Sequence, residues 1–282
     1  MRQVVPVDLL GNFDREKIQL IVSRLAHMRV FVSDGSAGTE GPVSRLVPRE
    51  QSLELLRRLM ASALRYTLLL NRVDTVDHDV GTVRELFGVP HCWRADDIVV
   101  TWSTSGSGIG YHAGHEDAII VQAAGRRHWR VWSATEVDIA SRRRILISAA
   151  GDNNKIFPSG APSLLDCELE PGDALYIPPF YPHEGLTLDD SVSIALGWRG
   201  VAYFHIVDAF RSDLVPPGWL DPHALPDVFF DLIPDIDPAC LEASRSEVAD
   251  GVVKRLIDLG CSVSDPASLS SRIQIVLGAP VA

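Results

Sequence analysis

The sequence lacks paired cysteines: its four cysteines are scattered, and no CxxC motif occurs. This scatter argues against a zinc site or a disulfide framework and predicts small buried side chains in a reducing compartment. No apolar run approaches the length of a membrane span, and polar residues interrupt the amino-terminal segment MRQVVPVDLLGNFDREK too early for a secretory signal. These absences predict a cytoplasmic protein without membrane contact. The cysteines are Cys92, Cys167, Cys240 and Cys261.

The sequence also lacks an excess of positive charge. Its 26 lysines and arginines stand against 37 aspartates and glutamates, which gives a formal net charge of -11. This balance argues against a nucleic-acid partner and against attraction to an anionic membrane. With 282 residues, of which 46% are hydrophobic and 22% charged, the chain has room for one large domain or a core domain with an appendage.

Both ends of the chain show helical patterns, because apolar residues recur there at three- and four-residue spacing. Before the middle of the chain, this spacing predicts helices over Asp14–Val32 and Glu50–Leu70, and a short helix over Thr82–Phe87 that Gly88 ends. After Gly200, helices are predicted over Phe204–Leu214 and Leu241–Leu259.

The middle of the chain consists of short runs rich in β-branched and aromatic residues. Because no helical pattern separates them, they predict antiparallel strands in a sandwich or a barrel. We therefore expect a helical N-terminal flank over residues 1–94, a β core over 95–200 and a helical C-terminal segment over 201–282. The predicted strands are 97–104, 117–123, 127–133, 173–178 and 192–198.

A polar cluster precedes the second predicted strand and contains His112, His115, Glu116 and Asp117. Imidazole and carboxylate groups at such short spacing suit iron, manganese or zinc. If the segment is a regular strand, positions 112, 114 and 116 share one face, which places His112 and Glu116 on either side of Gly114. Taken alone, the cluster is also compatible with a polar surface loop.

A second cluster ends in a single histidine, His183, which follows the prolines Pro178, Pro179 and Pro182. Prolines restrict the backbone, so the imidazole of His183 is expected to be held in one place, as a metal ligand requires. The alternative is a core histidine whose hydrogen bonds are satisfied within the protein.

Four segments occur in this order: DDIVVTWSTSGSGIGYH, IIVQAAGRRHWRVW, LEPGDALYIPPFYPHEG and SVSIALGWRG. Through them, residues of about 69–200 resemble the JmjC/cupin-type 2-oxoglutarate oxygenases, and within that family the bacterial ribosomal-protein hydroxylase branch. The resemblance implies a mainly β fold, a double-stranded β-helix (cupin or JmjC barrel) with helical flanks at both ends. It also implies iron held by a His-x-Asp pair and a distal histidine, with 2-oxoglutarate beside the iron.

Residue by residue, the resemblance assigns roles to four side chains. His112, ten residues before Gln122, is the first iron-binding histidine, and His183 is the distal one. Arg127 stands where the family's basic side chain pairs with the far carboxylate of 2-oxoglutarate, a task that suits an arginine fork. Ser103 is a further candidate for a contact to that carboxylate. Without the resemblance, Arg127 would be interpreted as an exposed strand charge.

The sequence departs from the family at Gly114, where the iron-binding aspartate is expected. Four possibilities stay open. The ligand pair is shifted to His115-x-Asp117, or Glu116 reaches into the vacated position, or that position is open to water or halide as in 2-oxoglutarate halogenases. In the fourth, the site is degenerate. The predicted metal ligands are His112, His183 and Glu116.

The function predicted from these features is Fe(II)- and 2-oxoglutarate-dependent oxidation, usually hydroxylation of an unactivated C–H bond. The expected substrate is a small molecule, a carrier-bound amino acid, a peptide or a protein, and one expected assembly is a homodimer through the helical tail. Two alternatives are retained: a halogenase-like oxygenase with an open metal position, and a catalytically inactive cupin binding module.

Overall fold

The computed structural model describes residues 4–10, 13–33, 42–87, 95–147, 160–198, 200–210, 214–233 and 241–278. The β-strands within them are β1 (His27–Ser33), β2 (Val43–Pro48), β3 (Arg65–Leu70), β4 (Ala95–Ser103), β5 (Asp117–Ala124), β6 (Arg127–Val131), β7 (Leu165–Leu169), β8 (Ala174–Ile177), β9 (His183–Thr187) and β10 (Ser191–Trp198). The α-helices are α1 (Arg15–Arg24), α2 (Arg49–Met60), α3 (His78–Leu86), α4 (Ile139–Ile147), α5 (Tyr203–Ala209), α6 (Leu241–Asp258) and α7 (Pro266–Gly278).

The strands form two sheets. The larger sheet has seven strands in the order β2-β1-β3-β4-β10-β5-β8, and the smaller has three in the order β7-β6-β9. The pairings with assigned register in both sheets are antiparallel. The expectation of a mainly β chain with antiparallel strands is therefore confirmed.

An apolar cluster joins the two sheets. Ile120 of β5 and Ile177 of β8, from the larger sheet, pack with Trp129 and Val131 of β6 and Leu169 of β7, from the smaller one. Alternate residues of a strand point to opposite faces, so β6 directs Arg127 to the same face as Trp129 and Val131. The side chain of Arg127 is therefore directed into the space between the two sheets.

The chain divides into two compact units. The first contains residues 1–89, 97–137 and 154–198 and holds both sheets. The second contains residues 90–96, 138–153 and 199–282, and its described elements include the helices α4 to α7. Within the second unit, Phe204 stacks on Phe230 with ring centroids 5.3 Å apart. Among the described residues, no helix combines the length and the apolar character needed to cross a bilayer.

Two predicted helices are wrong in extent, because each of their second halves is a strand. The helix predicted to run to Val32 ends at Arg24, and β1 follows; the helix predicted to run to Leu70 ends at Met60, and β3 follows. Residues 28–32 and 65–70 contain β-branched and aromatic side chains, and β1 and β3 pair with each other. The described part of the segment 1–94 therefore contains three strands as well as helices.

The five predicted strands are confirmed as β4, β5, β6, β8 and β10, with ends that differ by two residues or fewer. Within the described part of residues 95–200, the strands β7 and β9 were not predicted, and they are β6's partners on either side. The predicted helices after Thr82 overlap α3, α5 and α6, while Gly88 lies outside the described residues. The boundaries proposed at residues 94 and 200 stay a prediction. Of the cysteines, Cys261 is buried and Cys167 is partly buried, while Cys92 and Cys240 lie outside the described residues.

Candidate functional site

His112 and His183, which are far apart in the sequence, lie side by side in the structure. Their backbones form an isolated antiparallel bridge, with an N–H to carbonyl distance of 3.1 Å in one direction and 2.9 Å in the other. Their ring centroids are 4.2 Å apart, with the rings inclined by 61°. The fold thus brings together the two histidines that the sequence predicts as metal ligands.

The Nδ1 atoms of both histidines are held by backbone carbonyls. His112 Nδ1 lies 2.8 Å from the Gly110 oxygen, and His183 Nδ1 lies 2.9 Å from the Tyr181 oxygen. A ring that donates through Nδ1 presents an unprotonated Nε2, which is the atom that binds a metal. Burial lowers the pKa of His112, and burial together with the neighbouring His112 lowers the pKa of His183 to about 3. Both imidazoles are therefore neutral at neutral pH, as metal ligation requires.

The proline-rich corner before His183 is fixed by Phe180. This residue adopts the left-handed conformation, with φ of 61°, which is uncommon for a side chain other than glycine or asparagine and costs about 1–3 kcal/mol. Its N–H donates to the Gly114 carbonyl at 2.7 Å, and Trp132 N–H donates to the Pro182 carbonyl at 2.8 Å. The corner is therefore bonded both to the His112 segment and to the chain just after β6.

The carboxylate of Glu116 lies beside Gly114. A Cβ atom added at Gly114 would collide with Glu116 Oε2 and lie 3.6 Å from its Cδ. The other carboxylate oxygen, Oε1, lies 3.4 Å from His115 Nδ1. Glu116 thus occupies the volume into which a side chain at position 114 would project.

Asp117 has a different set of contacts. It is buried at the start of β5 and accepts a hydrogen bond of 2.5 Å from the Tyr176 hydroxyl, whose ring stacks on Trp198. Among the described residues, no group of three histidine, cysteine, aspartate or glutamate side chains is assembled for a metal ion. The two imidazoles are therefore suitable donors for a metal. The carboxylate of Glu116 lies nearby but does not form a three-ligand group with them in this structure.

Arg127 is buried and has no carboxylate partner within the described part of the chain. It is 3% exposed, and its Nη2 donates to the hydroxyls of Ser103 and Thr187, the latter at 3.2 Å. Its guanidinium carbon lies 5.8 Å from the centroid of the Trp129 ring. Burial lowers the pKa of Arg127 to about 10, so the group stays cationic at neutral pH. The interpretation of Arg127 as an exposed strand charge is therefore wrong.

A group of buried hydroxyls surrounds Arg127. Thr67 donates to Ser103 at 3.0 Å and lies 3.1 Å from the hydroxyl oxygen of Ser107. Ser103 was predicted from the sequence, whereas Thr67, Ser107 and Thr187 were missed. The available signal was a hydroxyl within an otherwise apolar strand, as in RYTLLL, where Thr67 stands opposite Ser103.

The two groups of the site lie on neighbouring strands of the smaller sheet. His183, Gly185 and Thr187 of β9 stand opposite Val131, Trp129 and Arg127 of β6, respectively. The Trp129 ring lies 6.1 Å from the His183 ring, so the indole stands between the histidines and the guanidinium. A Cβ at Gly185 would lie 2.9 Å from both Arg127 Cδ and Trp129 Cζ2, which shows why this position lacks a side chain.

Two antiparallel sheets with an apolar cluster between them are the arrangement of a cupin barrel. Residues 83–205 match the JmjC domain family. The resemblance inferred from the sequence, and with it the double-stranded β-helix, is confirmed.

The chain is also similar in sequence to two curated proteins. The chain is 35% identical to the ribosomal protein uL16 3-hydroxylase of Escherichia coli (strain K12) over 120 residues, which are 43% of this chain and 30% of that protein. It is 26% identical to a probable ribosomal oxygenase of Haemophilus influenzae over 150 residues, 52% of this chain and 35% of that protein. The segments matched in sequence thus span about a third of the length of these relatives.

A solved structure has the same fold. A ribosomal oxygenase from Escherichia coli, in complex with cobalt and 2-oxoglutarate, superimposes with a TM-score of 0.52 and 23% sequence identity. The match covers 87% of this chain and 59% of that one. The fold therefore extends beyond the segment that sequence comparison alone detects.

Proposed function

We propose that this protein is an Fe(II)- and 2-oxoglutarate-dependent oxygenase that hydroxylates an unactivated C–H bond. The observation that carries the proposal is Arg127, a buried cation without a carboxylate partner among the described residues, on the same sheet face as His183. A buried charge without a counter-charge is costly, and an anionic ligand removes that cost.

Two buried donors face the proposed 2-oxoglutarate position. Arg127 Nε and Trp129 Nε1 are both buried without a hydrogen-bond partner within the described part of the chain. Buried donors are normally paired, so two adjacent unpaired donors favour an acceptor-rich ligand. We infer that the far carboxylate of 2-oxoglutarate pairs with the Arg127 fork, while Ser103 and Thr187 hold the guanidinium in place.

His112 and His183 would hold the iron through their Nε2 atoms. Iron, when bound together with 2-oxoglutarate, supplies the oxidising power for breaking the C–H bond. The residues of this chain keep both imidazoles neutral, fix their orientation through the carbonyls of Gly110 and Tyr181, and line the space beside them with Trp129. This apolar wall excludes water from the reacting groups.

The relatives favour a protein substrate. The Escherichia coli protein is a hydroxylase of ribosomal protein uL16, and the Haemophilus influenzae protein is a probable ribosomal oxygenase. We propose a side chain of a protein or peptide as the substrate of this chain. A small-molecule or carrier-bound substrate, a homodimer through the helical tail and a cytoplasmic location stay predictions, without support from these relatives.

One observation favours a second candidate, a catalytically inactive cupin binding module. No three donors are assembled for a metal among the described residues. A binding module would retain the anion pocket at Arg127 without turning over 2-oxoglutarate.

Metal analysis coupled to 2-oxoglutarate turnover separates these two functions. We expect protein purified without air to retain about one iron per chain and to form succinate from 2-oxoglutarate, slowly and without substrate. Addition of the correct substrate should accelerate this conversion. Protein that binds 2-oxoglutarate but retains no iron and forms no succinate would be the binding module.

A further inference from the structure

We propose that Glu116 supplies the carboxylate ligand of the metal, in place of the side chain that Gly114 lacks. This inference rests on the proposed function, since it requires a metal at His112 and His183. It concerns the third ligand alone, for which the sequence leaves four possibilities open.

The Glu116 carboxylate and a side chain at position 114 would share one volume. A Cβ at Gly114 would overlap with Glu116 Oε2, so the two groups exclude each other. The Gly114 backbone is fixed relative to His183, because its carbonyl accepts the N–H of Phe180 at 2.7 Å in the same corner. The carboxylate of Glu116, two residues further along the chain, therefore lies where the first side-chain atom of a residue at position 114 would lie.

The two carboxylate oxygens of Glu116 have different surroundings. Oε1 lies 3.4 Å from His115 Nδ1, whereas Oε2 is the atom directed to the space above Gly114. A ligating carboxylate is commonly oriented by a neighbour that contacts its second oxygen. Oε2 is thus the oxygen that we assign to the metal.

A shifted ligand pair and an open halide position both fit the structure less well. A shift to His115-x-Asp117 requires Asp117 as a ligand, but its Oδ1 accepts the Tyr176 hydroxyl at 2.5 Å, and it is His112 that pairs with His183. An open position for halide requires free volume beside Gly114, which the Glu116 carboxylate occupies. Two neutral imidazoles and one carboxylate also make up the two-histidine, one-carboxylate set that suits Fe(II).

The experiment is a titration of the metal-free protein with Co(II), in which the visible absorption spectrum reports both binding and coordination. Glu116→Gln keeps the size of the side chain but removes its charge, and we expect a loss of Co(II) affinity of about 100-fold or more, with a changed spectrum. The matched control is Glu184→Gln. Glu184 is adjacent to His183, but its carboxylate pairs with Arg130, so this variant should bind Co(II) like the original protein.

A rescue variant tests the shared position directly. Gly114→Asp alone should crowd Glu116 and weaken Co(II) binding. Gly114→Asp combined with Glu116→Ala should bind Co(II) at least about tenfold more tightly than Glu116→Ala, since the collision is removed and a carboxylate is restored. Circular dichroism confirms that each variant is folded.

The outcomes distinguish this inference from the proposed function. If Glu116→Gln binds Co(II) like the original protein while His183→Ala does not bind it, Glu116 is not a ligand and the proposed oxygenase stands. If the original protein itself binds no Co(II), both proposals fail. If the double variant binds no better than Glu116→Ala, positions 114 and 116 do not share one ligand site, and the inference is overturned.

Discussion

The site has two ends, Arg127 and the histidine pair, and they differ in how many of the needed side chains the structure already holds in place. At the Arg127 end, the guanidinium is buried and already hydrogen-bonded to Ser103 and Thr187, whose strands fix their positions. At the histidine end, two imidazoles are in place, and the proposed carboxylate ligand, Glu116, belongs to the segment before β5. Register within a sheet therefore fixes the anion pocket, whereas the metal position depends on a connecting segment and on the metal itself.

The largest effect is expected from loss of a histidine. His183→Ala or His112→Ala leaves one imidazole at the site, and we expect iron retention to fall below detection in protein purified without air. Metal analysis by mass spectrometry measures this. The control is His128→Ala, because His128 lies on the same sheet but pairs with Asp166. Iron bound at the original level in both site variants would contradict the metal assignment.

The next largest effect is expected at the anion pocket. Arg127→Ala removes the proposed charge partner of the far carboxylate, and we expect 2-oxoglutarate binding to weaken by about 2–4 kcal/mol in calorimetry. Arg126→Ala is the matched control, since the neighbouring Arg126 is partly exposed and pairs with Asp189. Unchanged affinity in Arg127→Ala would show that the pocket holds another ligand.

A smaller effect is expected at Gly185, which lies between Arg127 and His183 in the sheet. Gly185→Ala introduces a Cβ that would lie 2.9 Å from Trp129 and Arg127, and the neighbours must shift. We expect the free energy of unfolding to fall by about 1–3 kcal/mol, measured by urea denaturation, with a parallel loss of 2-oxoglutarate affinity.

Gly251→Ala serves as the control for this variant. A Cβ at Gly251 has no atom within 4 Å among the described residues, and the position lies within α6. Alanine in a helix is more favourable than glycine, so this variant should be slightly more stable than the original protein. If Gly185→Ala behaved in the same way, the close packing around Trp129 would be refuted.

The smallest effect is expected from removal of one hydroxyl. Ser103→Ala takes away one of two acceptors of Arg127, and we expect 2-oxoglutarate affinity to fall by about 1–2 kcal/mol in calorimetry. Ser105→Ala is the control, because Ser105 bonds to the Leu188 carbonyl at the surface. An effect of Ser103→Ala equal to that of Arg127→Ala would contradict a leading role of Arg127 in the pocket.

The same contrast between the two ends applies to what the sequence could predict. Strands β4, β5, β6, β8 and β10 were predictable because β-branched and aromatic residues are dense there. The histidines and Arg127 were identified by resemblance, since their motifs are local. Thr67 was hidden because its segment continued a helical apolar pattern, so that its inward position in β3 could not be recognised. Thr187 lies in a strand that was not predicted.

The sequence predicts Glu116 as a metal ligand but leaves three other possibilities open at Gly114. The sequence places Glu116 two residues from Gly114, but the overlap of its carboxylate with a Cβ at position 114 depends on the bends at residues 115 and 116. A regular strand predicts the face of a residue and not the direction of its side chain after a bend. The argument for Glu116 over the other possibilities at Gly114 therefore draws on the three-dimensional structure.

If the buried charge of Arg127 binds an anionic ligand, as proposed, the melting temperature of the protein depends on that ligand. A ligand that binds the folded chain alone raises its stability by mass action, by about 2.7 kcal/mol at a concentration 100 times its Kd. Dicarboxylates of different length can therefore be ranked by the rise in melting temperature that they produce, before any substrate is known. Five-carbon oxyacids should lead that ranking, and Arg127→Ala should flatten it.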